Sequence, residues 1–168
     1  MKRTLSIICA LTLSFMVFPG DFVNKFMETY GESERPLSYV NIGKTMLERM
    51  AENTKDEELK NAFKELKSIR IVNSENNEDA KHYYEKATQL VKESFSDYEE
   101  VVSVNESMAK WSVFMKKENE DHQNIILIML NSTGQFSLIT ISGKIDFHSL
   151  SKLSGTLKNE TEIHPGIQ

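Results

Sequence analysis

The chain has 168 residues, of which 39% are apolar and 27% are charged, a composition typical of one folded domain. It has 20 Lys and Arg residues against 25 Asp and Glu residues, so its formal net charge is −5. This acidic balance argues against nucleic acid as a partner, because clustered basic side chains hold a phosphate backbone. A single cysteine excludes an internal disulfide and a zinc site made of several cysteines.

The first twenty residues have the pattern of a secretory signal peptide. Lys2 and Arg3 form a basic start, residues 5–18 are uncharged and mostly apolar, and Pro19-Gly20 ends the run. The apolar run is 14 residues long, whereas a membrane-spanning helix needs roughly 20. We therefore expect residues 1–20 to be a signal peptide.

Removal of the signal peptide changes the chemistry of the remaining chain. The only cysteine, Cys9, lies in it, and Ile8 stands where a lipoprotein signal needs a small residue before the cysteine. The mature chain then has no thiol and no stable transmembrane anchor, and 18 basic and 25 acidic residues give it a formal charge of −7. Cysteine catalysis and disulfide redox chemistry are excluded for such a chain.

The part of the chain that follows predicts four helices and two short strands. Apolar residues recur there every three or four positions, which indicates helices with one buried face. In chain order we expect a helix over 21–30, a strand at 39–42, a helix with Met46, Leu47, Met50 and Ala51 on one face, a helix started by a Thr54–Glu57 capping box, a strand at 69–72 and a long helix over 78–95.

After residue 95 the apolar period changes from 3.6 to 2, which indicates strands. Strands are expected near 101–104, 110–115, 125–130 and 136–141, joined by short polar turns that favour an antiparallel meander. Asp146 is a suitable N-cap for a last helix, whose inner stripe is Phe147, Leu150, Leu153 and Leu157. We expect one α+β domain over residues 21–158, with helices packed on an antiparallel sheet, and a flexible tail at 159–168.

Three residues match the end of a phosphate-binding loop. Gly43-Lys44-Thr45 fits the last part of that pattern, but Ser38 stands where the full pattern needs a glycine. The strand-like residues 39–42 cannot form the glycine-rich cradle of backbone N–H groups that binds phosphate. Gly43 is therefore interpreted as the bend between a strand and a helix.

The residue types of a hydrolase triad occur together near the C-terminus, at Ser142, Asp146, His148 and Ser149. Triads are recognised by geometry rather than by proximity in sequence, and no G-x-S-x-G elbow surrounds either serine. We interpret Asp146 as a helix cap and His148 as an exposed residue of the first turn. A hydrolase using Asp146, His148 and Ser142 remains an alternative.

Other candidate groups have structural interpretations. The four histidines are never three or four positions apart, so no helix face presents a paired metal site; they are His82, His122, His148 and His164. The acidic runs at 56–58 and 97–100 are interpreted as solvated helix ends. Tyr83, Tyr84 and Trp111 are interpreted as core or cross-strand residues rather than as the lining of a ligand groove. The sequence therefore assigns no catalytic, metal-binding or cofactor-binding residue and no cofactor.

The order of several segments resembles the family known as domain of unknown function 4252. The matching segments are 39–42 leading to Met46-Leu47, 69–71 before the helix with Tyr83-Tyr84, and the turn 142–146 before the stretch 150–153. The resemblance covers roughly residues 22–157 and carries no catalytic residue. It implies a small exported protein of Gram-negative gut bacteria, in a family whose members are thought to accompany envelope regulatory systems.

These observations favour a non-enzymatic protein of the periplasm or cell envelope that binds another, unidentified envelope protein in surface sensing or envelope regulation. This hypothesis predicts an exposed apolar patch or an unpaired sheet edge on the folded domain. A small-ligand carrier with a pocket between helices and sheet is a second possibility, and the hydrolase is a third.

Overall fold

The computed structural model describes residues 21–31, 35–74, 76–106 and 109–145. Those residues form four helices and six antiparallel strands, which confirms the predicted α+β domain. In chain order the elements are α1 Phe22–Tyr30, β1 Ser38–Gly43, α2 Lys44–Asn53, α3 Glu57–Glu65, β2 Leu66–Ser74, α4 Asn77–Ser94, β3 Glu99–Asn105, β4 Lys110–Lys117, β5 Gln123–Leu130 and β6 Phe136–Gly143.

The six strands form one sheet in the order β1-β2-β6-β5-β4-β3. The last four strands are consecutive antiparallel neighbours, so the predicted C-terminal meander is confirmed. β6 then pairs on its other side with β2, and β2 pairs with β1. The pairing of β2 with β6 therefore joins the two parts of the sheet, although these strands lie far apart in the sequence.

Helices α1 and α4 cover one side of the sheet, here called the α1/α4 face. Phe22 and Phe26 of α1 are buried there at a spacing of four, and they pack with Tyr83 of α4 and Phe136 of β6. The long α4 begins at the N-cap Asn76, whose side chain accepts from the backbone N–H of Glu78. Its apolar stripe completes the larger of the two cores, with Ala80, Ala87, Leu90 and Val91.

Helices α2 and α3 cover the opposite side, here called the α2/α3 face. Leu47 of α2 and Phe63 of α3 are buried against Ile69, Ile125 and Ile141 of the sheet. Because successive strand residues point to opposite faces, Ile125 and Ile126 of β5 enter different cores. The central strand β5 thus has buried residues on both faces, as its continuous apolar run predicted.

Helix α3 begins differently from the prediction. Asp56 is its N-cap, and the Asp56 carboxylate accepts from the backbone N–H groups of Glu58 and Leu59. The predicted capping box from Thr54 to Glu57 is therefore wrong, because Asp56 lies two residues closer than Thr54 to the first amides of α3. Thr54 instead caps the C-terminal end of α2.

Several predictions fall outside the described residues. These are the signal peptide at 1–20, the last helix that starts at Asp146, and the tail at 159–168. Among the residues that the structure does describe, no helix is both long enough and apolar enough to cross a membrane.

Candidate interaction surface

The residues that resemble a phosphate-binding loop have a structural role. Gly43 ends β1 and is the N-cap of α2, which confirms its interpretation as a bend. The ammonium group of Lys44 donates to the backbone carbonyls of Lys64 and Leu66. Lys44 therefore ties the start of α2 to the junction between α3 and β2.

The predicted triad residues are only partly described. Ser142 lies on β6, and its Oγ is 3.0 Å from Oγ of Ser68 on the neighbouring strand β2. This hydrogen bond joins two paired strands. Asp146, His148 and Ser149 lie outside the described residues, so the structure gives no geometry for a triad and the hydrolase stays a hypothesis.

The described histidines lie apart from one another. The His82 ring packs edge-on against Tyr83, and the His122 ring is 3.3 Å from Oδ1 of Asn119 in the β4–β5 turn. Across the described ranges, no three His, Cys, Asp or Glu side chains are grouped so that they could hold a metal ion. His148 and His164 are outside those ranges.

The two acidic runs differ in structure. Glu57 and Glu58 lie in the first turn of α3, where carboxylates interact favourably with the positive end of the helix dipole. Glu99 and Glu100 lie on β3 and not at a helix end, so the interpretation of 97–100 as a helix end is wrong for those two residues. The acidic run resembled a helix end because β3 follows α4 after only a short turn.

Asp97 and Tyr98 form a small polar cluster with Lys116 of β4. A hydrogen bond from Lys116 lowers the pKa of Asp97, and the attraction between their charges adds to this effect. Burial, followed by the nearby carboxylates of Asp97 and Glu118, raises the pKa of Tyr98 to about 12. The Lys116 ammonium also lies over the Tyr98 ring, 6.0 Å from the centre of the ring. The cluster fastens the end of α4 to the sheet.

The aromatic residues separate into core and surface. Tyr83 is fully buried, and its hydroxyl donates to the carbonyl of Arg35 at 2.8 Å, so its interpretation as a core residue is confirmed. Trp111 is 36% exposed and lies between its cross-strand partners Val104 and Met129. Trp111 is therefore a cross-strand residue on an open part of the sheet.

A groove of about 380 Å³ follows the outer side of α4. It is lined by Tyr84, Glu85, Thr88, Gln89, Lys92 and Glu93. All six belong to one helix, so this groove is not the pocket between helices and sheet that the carrier hypothesis predicts. The carrier stays a hypothesis.

The two outer strands of the sheet differ in how they are protected. An outer strand offers unpaired backbone N–H and C=O groups to another chain, and charges or bulges usually discourage such pairing. β3 carries Glu99 and Glu100, and its register with β4 shifts at a bulge between Glu100 and Val102. Both features protect that edge.

The opposite edge, β1, has neither protection. Its sequence from Ser38 to Gly43 contains no charged residue, and its six residues pair with β2 in continuous register. Within the described residues no strand lies beyond it. Tyr39 is 44% exposed and Val40 is 47% exposed. β1 is therefore the best candidate in this structure for pairing with another chain.

The two large apolar side chains that β1 exposes lie on opposite sides of the sheet. Tyr39 is paired with Val72, which is buried on the α1/α4 face, and Val40 is paired with Ile71, which is buried on the α2/α3 face. An added strand would thus contact an apolar side chain on each side of the sheet in addition to the β1 backbone.

Comparison with known proteins identifies the family. Residues 30–153 match the model of the family described as Domain of unknown function (DUF4252). The chain belongs to the DUF4252 family. This confirms the resemblance seen in the sequence, and the DUF4252 match includes all of β1. No curated protein and no solved structure gives a match.

Sequence reasoning predicted β1 as a strand but did not identify it as the candidate site. The uncharged run from Tyr39 to Ile42 was the available signal. That run does not reveal whether the strand lies at an edge, because edge position depends on which strands pair with it.

Proposed function

We propose that this DUF4252 protein is exported and acts as a non-enzymatic protein-interaction module in the cell envelope of a Gram-negative bacterium, in surface sensing or envelope regulation. The pattern of residues 1–20 supports export. The observation that carries the interaction role is the free edge β1, which is uncharged, continuous in register and exposes one large apolar side chain on each side of the sheet.

The edge favours a particular mode of binding. A segment of the envelope partner pairs with β1 in an extended conformation, and main-chain hydrogen bonds provide most of the affinity. Alternate side chains of that segment contact Tyr39 on one face and Val40 on the other. Such a segment is uncharged, with apolar residues on both of its sides, because it lies beside these two side chains.

Crosslinking in cells tests the proposal. A C-terminally tagged chain is crosslinked, purified and analysed by mass spectrometry, and the wild type is compared with Val40→Lys. We expect one dominant envelope protein in the wild type and a loss of its capture by roughly tenfold with Val40→Lys, since a charged edge strand resists pairing.

The matched control is Val101→Lys on the opposite edge, at a residue that is 39% exposed. Val101 lies at the β3 bulge, outside the regular pairing, so this variant should keep normal capture. Equal capture by the wild type and Val40→Lys would refute binding at β1. Capture of no envelope protein by the wild type would refute the interaction role.

A further inference from the structure

The edge strand β1 has a geometry that allows two copies of it to pair. In an antiparallel pair, residues that lie directly opposite each other are on the same face of the sheet. Ser38, Val40 and Ile42 lie on the α2/α3 face of β1. Tyr39 and Asn41 lie on the α1/α4 face. Two copies of β1 therefore match face to face when one residue of the strand stands opposite the same residue of the second copy.

The register centred on Val40 suits this pairing. Val40 is 47% exposed, and this register places it directly opposite Val40 of the second copy. Tyr39 of each copy then stands opposite Asn41 of the other, and Ser38 stands opposite Ile42. None of these residues is charged, so no like charges face each other across the pair.

The space beside β1 on the α2/α3 face is open to a second copy. Leu47 and Ala51 of α2 are buried in the cluster that contains Ile69 and Ile71 of β2. Helix α2 therefore covers β2 and leaves the outer side of β1 exposed, as the exposure of Val40 shows. A second strand beside β1 meets the side of α2 and not its axis.

That side of α2 presents an apolar side chain. The Lys44 ammonium donates to the carbonyls of Lys64 and Leu66, so the flank of α2 that carries Lys44 faces α3 and β2. Met46 lies two residues further on, about 200° around the helix, and is therefore on the opposite flank, towards the β1 edge. Met46 is 54% exposed. A flexible thioether side chain adapts well to such a contact.

The cations at the two ends of β1 have partners within the same chain. Nε of Arg35 is 3.2 Å from the carboxylate of the buried residue Asp79, and the Lys44 ammonium is bound to carbonyls. Between Arg35 and Lys44 the sequence contains no charged residue. The edge thus presents no charge of its own that would repel a second copy.

The contact is too small for a permanent dimer. A pair formed by residues 38–42 is about 17 Å long, and one layer of side chains on each face makes it about 20 Å deep. It buries about 700 Å² over both copies, whereas stable interfaces bury at least about 1,200 Å². Pairing of two copies is therefore weak and reversible.

We infer that β1 pairs with β1 of a second copy, antiparallel and centred on Val40, and that this pairing regulates the site. The inference rests on the proposed binding role of β1. Because the pair covers the edge, dimer formation and partner binding exclude each other. The fraction of chains with a free edge then falls as the concentration of the protein rises.

Sedimentation velocity of the purified protein with its complete C-terminus tests the pairing without any partner. We expect the wild type to shift from monomer towards dimer between about 5 and 500 µM, as a small interface gives. Val40→Lys and Val40→Glu should each raise the dissociation constant at least about tenfold, since two like charges then stand opposite each other. An equimolar mixture of the two variants should restore the dimer, because opposite charges then face each other.

The matched control is Val101→Lys on the outer strand β3, which should keep the wild-type dissociation constant. Restoration in the mixture also shows that both Val40 variants are folded. Hydrogen exchange supplies a second readout. The amides of residues 39–42 should exchange more slowly in the wild type as its concentration rises, and Val40→Lys should lack this change.

Three results would overturn the inference. They are a wild type that stays monomeric up to about 500 µM, well above the range in which a small interface associates, a dimer that Val40→Lys leaves intact, and a mixture of the Lys and Glu variants that stays monomeric. A monomeric wild type whose capture of an envelope protein still depends on Val40 would refute self-pairing alone. A dimer that captures no envelope protein would refute the proposed function and leave the pairing in place.

Discussion

Gly143 shows how closely the end of β6 approaches the start of β2. Its φ is +142°, a backbone conformation that residues with a Cβ rarely adopt. A Cβ on Gly143 would lie 2.7 Å from both the Glu65 carbonyl oxygen and the Leu66 Cα. We expect Gly143→Ala to lower the free energy of unfolding by about 2–4 kcal/mol, measured by urea denaturation.

Gly43 provides the matched control because its surroundings are open. No atom lies within 4 Å of the position that its Cβ would occupy. Gly43 is the N-cap of α2 and makes no side-chain hydrogen bond there. Gly43→Ser should therefore leave the free energy of unfolding unchanged or raise it by about 0.3 kcal/mol, since serine can cap the helix. If Gly143→Ala and Gly43→Ser change the free energy of unfolding equally, the close contacts at Gly143 do not explain the effect of adding a Cβ there.

Tyr98 makes stability depend on alkaline pH. Burial, followed by the charges of Asp97 and Glu118, raises the pKa of Tyr98 to about 12 from 10.0. Between these values the unfolded chain has already lost the phenolic proton that the folded chain keeps. The unfolded state therefore binds fewer protons there, and the free energy of unfolding falls as the pH rises through this window.

Replacing the phenol should weaken this pH dependence. We expect Tyr98→Phe to lose less stability than the wild type between about pH 9.5 and 11.5, by roughly 1 kcal/mol after allowing for partial exposure of the site. Urea denaturation across that range measures the difference. Tyr39→Phe, at an exposed tyrosine of β1, is the control and should follow the wild type. Parallel curves for Tyr98→Phe and the wild type would contradict the role of burial.

At the scale of elements, Asp21 both starts α1 and fastens it to the sheet. Its carboxylate accepts from the backbone N–H of Val23 at 3.0 Å and forms an ion pair with Arg70 of β2. We expect Asp21→Ala to cost about 2–3 kcal/mol and Asp21→Asn about half of that, since Asn keeps the cap and loses the charge. Thermal and urea unfolding of the purified protein measure both.

Asp56 gives a second N-cap for comparison. It caps α3 through two backbone N–H groups. Asp56→Ala should therefore cost about 1 kcal/mol through the loss of these cap hydrogen bonds. If Asp21→Asn is as costly as Asp21→Ala, the ion pair with Arg70 accounts for the whole effect and the cap adds nothing.

At the scale of the whole molecule, the pairing of β2 with β6 creates a continuous sheet. It joins the β1–β2 pair to the meander β3–β6, and side chains strengthen it at both ends. Ser137 Oγ donates to Asn73 Oδ1 at 2.7 Å, and the Ser68 and Ser142 hydroxyls are 3.0 Å apart. Helices then cover this sheet from two sides, so the domain has a separate core on each face.

The sequence by itself determined most of the local structure of this DUF4252 protein. The change of apolar period after residue 95 separated helices from meander strands, and the polar turns set the antiparallel connections. These features are local, because periodicity and turn chemistry act over a few residues. The family resemblance was likewise carried by short segments. The cap of α3 was missed because two acceptors, Thr54 and Asp56, compete within three positions.

Only the tertiary structure decided how the strands are ordered and which surfaces stay open. The β2–β6 pair joins residues about 70 positions apart, and this order makes β1 an edge. The exposure of Trp111 has the same origin, since alternation along β4 buries Ser112 and Phe114 on the α1/α4 face. A strand pattern specifies two faces, but the helices that pack on each face determine which one is covered.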